Sequence, residues 1–198
     1  NSLAFDADGD LYVTDTAKGG DRLEPPVDPN PGLIRIAHSS IDKAAQALAR
    51  NSTDLEISFV DMPGVPNGVG YWAEEKAVCV VTMGGNEPQG TAIYKIPEND
   101  FPLSQLPAPF RGDVGRADGI AFTPAGTIVT SRFTGDLLAV SKEGEIETLR
   151  VTPFAAPADH RLTVLPDGSS LLAVPDQDRK DPRPWSQDVR LIKLPKGF

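Results

Sequence analysis

Four stretches of this chain repeat one pattern, and a repeat of this length constrains the fold more than any local propensity does. They are NSLAFDADGDLYVTD (Asn1 to Asp15), NGVGYWAEEKAVCVVT (Asn67 to Thr82), DGIAFTPAGTIVTSR (Asp118 to Arg132) and HRLTVLPDGSSLLAVPD (His160 to Asp176). Each opens on a polar residue, alternates like a half-buried strand, turns, and continues into a second β-rich run. Third strands follow in GLIRIAH, GTAIYKIPE, GDLLAVSKEG and DVRLIKLP. Fourth strands follow in LEISFVDMP, more weakly in FPLSQLPAPF, and in EIETLRVT. A unit of roughly 40–50 residues made of four antiparallel strands is a β-propeller blade. The sequence therefore predicts an all-β chain, a single propeller domain or part of one. Its four-stranded blades run approximately over 1–65, 66–115, 116–157 and 158–198, the last with three strands of its own.

Composition agrees. With 18 Gly and 19 Pro among 198 residues, turns are frequent and long helices disfavoured. Hydrophobic residues at 39% suffice for a packed core. A net charge of −9 without a basic run argues against nucleic acid as a partner. No apolar stretch is long enough to span a bilayer, so no membrane partner is expected and the compartment stays open. The single cysteine, Cys79 in AVCVV, excludes an intramolecular disulfide and reads as a small buried hydrophobe. One segment breaks the β pattern: Ser39 to Asn51 spaces Ile41, Ala44, Ala45 and Leu48 as a short surface helix does. It runs into an NST triplet at Asn51, a faint glycosylation signal. The chain opens at Asn1 directly into a strand pattern, so the expectation is that further residues precede it or that open blade edges self-associate.

Propeller geometry brings the starts of the inner strands together at one mouth of the central channel. Asn1, Asn67, Asp118 and His160 occupy the same phase of the four repeats, so all four are expected to face one polar well. Such residues serve equally as ligands of a substrate or ion and as partners of ordered water. The loops over this face run from Thr16 to Gly32, Met83 to Gly90, Arg132 to Gly135 and Asp176 to Asp188. Long loops gathered on a rigid scaffold commonly carry binding function, and Trp185 lies in the last of them. Other motifs carry less. Asp6 to Asp10 begins like a calcium loop but lacks its closing Glu, and aligns with the hairpin turns of the other repeats. Ser131 has no nucleophile elbow around it, His38 reads as structural, and the Gly19 and Gly84 pairs lack a phosphate-loop context.

PNGVGYWAEEKAVCVVT and ADGIAFTPAGTIVTSRFTG resemble two consecutive inner-strand motifs of the gluconolactonase, regucalcin and luciferin-regenerating-enzyme superfamily. NSLAFDADGDLYVTDT resembles the preceding blade, and LTVLPDGSSLLAVPD with LIKLPKGF resembles the last. The resemblance covers nearly the whole chain and implies about two-thirds of a six-bladed propeller with one divalent cation at the mouth. It implies that Asn67 and Asp118 match two metal ligands, that Asn1 contacts the metal's waters or the substrate, and that His160 starts the final blade. A further Glu ligand of the family has no counterpart here. Calcium is the first expectation, with magnesium or zinc as alternatives, because amide and carboxylate oxygens suit hard cations.

The expected activity is a metal-dependent hydrolase opening a lactone or related ester, with Asp118 as general base toward a metal-activated water. Arg132, Met83 and Trp185 would then select a small-molecule substrate. The alternative is a non-catalytic propeller that binds a partner through the same well, since the fold hosts many functions. A strictosidine-synthase-like or paraoxonase-like enzyme is a third option.

Overall fold

The structure is a computed structural model that describes residues 1–16, 31–47, 56–84, 91–149, 153–177 and 187–198. Most of three mouth loops, Trp185 and the Asn51 triplet lie outside the described residues.

Each sheet is a meander of consecutive strands, paired antiparallel throughout. The first holds β1 (Leu3–Phe5), β2 (Leu11–Asp15) and β3 (Gly32–Ile36), then helix α1 (His38–Ala47), then β4 (Ile57–Asp61). The second holds β5 (Val65–Trp72), β6 (Ala77–Met83), β7 (Ala92–Pro97) and β8 (Arg111–Gly112). The third holds β9 (Ala117–Phe122), β10 (Ile128–Arg132), β11 (Asp136–Val140) and β12 (Ile146–Leu149). The fourth holds β13 (Arg161–Val164), β14 (Ser170–Gln177) and β15 (Gln187–Leu194).

Two local readings need correction. The fourth strand of the second sheet is not FPLSQLPAPF but the two-residue β8 just beyond it. Pro102, Pro107 and Pro109 have no N–H to give a ladder. The segment instead lays Phe101, Leu103 and Leu106 against the core between the first two sheets. The helix begins one residue early, at His38, because Asp10 Oδ1 accepts the His38 N–H at 2.8 Å and so caps the helix from the first hairpin.

The sheets stack face to face in chain order. Tyr12, Leu33, Val78, Val80 and Ile96 fill the first interface. Trp72, Cys79, Ile93, Ile120 and Leu138 fill the second, and Val129, Leu137, Leu172, Val174 and Leu194 the third. β6 is buried along its whole length, which accounts for its unbroken apolar run: alternate residues serve the interfaces on either side. The Cys79 thiol sits in this layer, and burial pushes its pKa up, away from nucleophilic use. The exposed large hydrophobics fall in the first and last sheets: Leu3, Phe5, Ile57 and Phe59 in one, Val164, Val189 and Leu191 in the other. In the first sheet the register places Leu3 opposite Val13 and Ile34 opposite Phe59, so a single apolar face looks outward.

The difference between covered and uncovered faces is measurable. Leu172→Ala empties space in the third interface and should cost about 2–5 kcal/mol. Leu191→Ala, on the uncovered face of the fourth sheet at 65% exposure, should stay within about 0.5 kcal/mol. Urea denaturation of the two variants checks both values.

Candidate functional site

The inner strands begin at one end of the stack, and two of them begin with a fault in the ladder. Pairing of β5 with β6 slips between Pro66 and Val69, at Asn67 and Gly68. Pairing of β9 with β10 slips between Thr130 and Arg132, opposite Asp118 and Gly119. Bulges of this kind re-aim a side chain at the end of a strand. Both repeats therefore turn their polar residue out of the regular ladder at the same phase.

The glycine after each polar residue lets the next sheet come close. A Cβ at Gly119 would lie 2.7 Å from Asp159 Cα and 2.9 Å from the His160 nitrogen, and one at Gly68 would overlap the Asp118 carbonyl. Buried hydroxyls then tie neighbouring sheets together. Ser131 Oγ accepts the Gly119 N–H at 3.0 Å and donates to Ala158 O at 2.9 Å. Thr14 Oγ1 accepts the Ser2 N–H at 2.9 Å and donates to Asn67 O. Neither Thr14 nor this use of Ser131 was visible from the sequence, where a hydroxyl two-thirds of the way through a repeat carries no distinguishing mark.

The polar residues meet as follows. Asn1 Nδ2 donates to Asn67 Oδ1, and Asn67 Nδ2 donates to Met83 Sδ at 3.4 Å. Asn67 is 2% exposed, so its amide is fixed with nitrogen toward the sulfur and oxygen toward Asn1. Ser2 Oγ donates to Asp159 Oδ2 at 3.2 Å, joining the starts of the first and fourth sheets. Asp118 is half-buried beside them on β9. Arg132 pairs in register with Ala117, next to Asp118, and its Nε donates to Asp136 Oδ1 at 2.8 Å. Thr134 Oγ1 donates to the same oxygen at 2.7 Å. The hydrogen bond from Arg132 comes first among the causes that hold the Asp136 carboxyl below its ordinary pKa.

His160 keeps the expected register, yet its ring does not join the others in the well. It is 1% exposed, and Nε2 meets Val129 O at 3.0 Å in the interface between the third and fourth sheets. A carbonyl partner makes Nε2 the protonated nitrogen and leaves Nδ1 with a bare lone pair. Among the described residues that Nδ1 meets no hydrogen-bond partner, and Gly119 is the glycine whose missing Cβ leaves it room. The close approach at Gly119 is what makes space for the ring in the interface.

Among the described residues no three His, Cys, Asp or Glu side chains gather as a metal-binding group. The donors at the mouth are instead amide oxygens and the Asp118 carboxylate, a set that fits a hard cation with water filling the remaining positions. Nitrogen- and sulfur-rich zinc ligation has no counterpart among them.

Burial lowers the His160 pKa, so the folded state favours the neutral ring. The unfolded chain then takes up the proton first. Stability due to this group is complete above the unfolded pKa of ~6.5 and declines as pH falls through and below it. Urea midpoints at pH 7 and pH 5 should therefore differ more in the native chain than in His160→Gln.

No family model and no curated protein matches the chain, whereas solved structures do. A luciferin-regenerating enzyme matches with a TM-score of 0.62 at 14% identity, over 100% of this chain and 62% of its own. A PQQ-bound aldose sugar dehydrogenase from Streptomyces coelicolor matches at 0.59 and 13%, over 97% of this chain and 60% of its own. A gluconolactonase from Xanthomonas campestris matches at 0.58 and 17%, over 87% and 52%. The chain thus spans between half and two-thirds of the length of each. At these identities the likeness is one of architecture: the four sheets are consecutive blades of a β-propeller, the fold built by gluconolactonase and luciferin-regenerating enzyme.

Proposed function

We propose that the channel mouth is the site of a lactonase-like hydrolase that holds one divalent cation and opens a lactone or related ester with water. The pair Asn67 and Asp118 supports this reading, because one amide and one carboxylate stand at ladder faults in equivalent positions of neighbouring sheets. Asn67 Oδ1 and the Asp118 carboxylate would hold the cation, calcium in preference to magnesium, with zinc disfavoured by the donor set. When bound, the cation would polarise the lactone carbonyl and acidify a neighbouring water.

The chain's own residues account for the rest. Met83 holds the Asn67 amide in the orientation that presents oxygen to the mouth. Asn1 keeps an amide there for a polar group of the substrate. Asp118 takes a proton as water oxygen bonds to the acyl carbon. The bond from that carbon to the ring oxygen then breaks, and the same proton goes to the departing alkoxide, giving a hydroxy acid. Arg132, braced by Asp136 and paired in register with the neighbour of Asp118, would meet the negative charge that develops on the acyl oxygens. No acyl-enzyme is needed, and the buried hydroxyls of Ser131 and Thr14 are committed to the backbone.

The test measures acid release from glucono-δ-lactone and γ-butyrolactone with calcium present. Turnover should disappear on chelation and return with calcium. Asp118→Asn should lower kcat by about 10²–10⁴. Saturable calcium binding without turnover of either lactone would replace this reading with that of a non-catalytic binding propeller.

A further inference from the structure

Below the polar mouth the channel changes character. Two residues after Asn1, Asn67, Asp118 and His160 stand Leu3, Val69, Ile120 and Leu162, and two further on stand Phe5, Tyr71, Phe122 and Val164. At about 3.3 Å per residue, these levels lie about 7 Å and 13 Å from the mouth. They line an open cavity of about 610 Å³ to which all four inner strands contribute. Its volume is that of a small-molecule site, and its walls are mainly aliphatic and aromatic. Among its lining residues His160 is the one at the level of Asp118, while Asn1, Asn67 and Asp118 are not part of the lining. The polar groups are few: Glu74 and Thr123 at the far end, Arg161 beside His160.

We infer that this cavity receives the apolar tail of the substrate, so that the chain acts on lactones or esters bearing a medium-length alkyl or aryl substituent rather than on sugar lactones. The inference rests on the hydrolase reading of the mouth and adds the substrate class. A polyhydroxylated sugar lactone would leave its hydroxyls unpaired against Leu3, Ile120 and Phe122, whereas an alkyl chain is favoured by each methylene it withdraws from water. The carbonyl would stay at the mouth with Asn67 and Asp118 while the substituent runs down between the inner strands. Phe5 and Val164, each 54% exposed, wall the far end and support no interface of their own, so they can be changed without emptying the core.

The test is equilibrium binding of γ-butyrolactone, γ-octalactone and γ-dodecalactone by calorimetry on Asp118→Asn, which separates binding from turnover. Affinity should rise at least about tenfold for each four methylenes. Phe5→Ser and Val164→Ser should flatten that dependence while leaving the urea midpoint unchanged. Equal affinity for the shortest and longest lactones would overturn the inference, and so would a chain-length dependence unchanged in both variants. The two readings fail separately. Chain-length-dependent binding by a native chain that hydrolyses none of the three lactones upholds the cavity and overturns the hydrolase. Turnover of γ-butyrolactone without chain-length dependence upholds the hydrolase and overturns the cavity.

Discussion

The close approach of successive inner strands at the channel mouth is the constraint on which the rest of the structure depends. Gly68 and Gly119 carry no Cβ, and the space a Cβ would take is filled by the backbone of the next blade. The hydroxyls of Thr14 and Ser131 then satisfy one N–H of their own blade and one carbonyl of the next. A buried amide or carbonyl left without such a partner costs about 1–3 kcal/mol, so the latch does more than fill a gap. Blade spacing at the mouth is set by backbone against backbone, which is stiffer than side chain against side chain. The polar residues beside those glycines are consequently held at fixed positions, as a site requires.

The same geometry explains why one of the four phase-matched residues behaves differently. Asn67 and Asp118 precede glycines and sit where the pairing with the next strand slips. His160 instead precedes Arg161, where the ladder of the fourth sheet begins, and its ring is directed into the neighbouring interface. There it packs as a neutral imidazole against Gly119 and Val129. Below this level the inner strands carry aliphatic and aromatic residues, so the channel divides into a polar mouth and an apolar shaft within a few residues of each strand. On the proposed reading, a reaction centre at the first and a binding volume in the second would divide the labour within one repeated strand pattern.

Much of this was legible in the sequence because hairpins advertise themselves. DADGD, TPAGT and LPDGS all contain a glycine that the structure finds at positive φ, in Gly9, Gly126 and Gly168, and each joins the two strands that period-two alternation marks. The fourth strand of the second blade was not legible: a proline-rich apolar segment looks like a poor strand, and its residues go to the core without joining the ladder. The phase of Asn1, Asn67, Asp118 and His160 could be read by counting, but not the direction of each side chain, which depends on bulges that no local composition announces. The latching role of Thr14 and Ser131 was hidden for a similar reason, since their partners lie 53 and 27 residues away. Trp185 lies outside the described residues and stays an expectation of the sequence.

The central claim is that the polar mouth is a cation site built on Asn67 and Asp118. Crystals grown with manganese, a hard cation with anomalous scattering, test it most directly. The account predicts a single anomalous peak at the mouth, about 2.0–2.6 Å from Asn67 Oδ1 and from an Asp118 carboxylate oxygen. A map with no peak there, or with the ion bound only to surface carboxylates away from the channel, would contradict it.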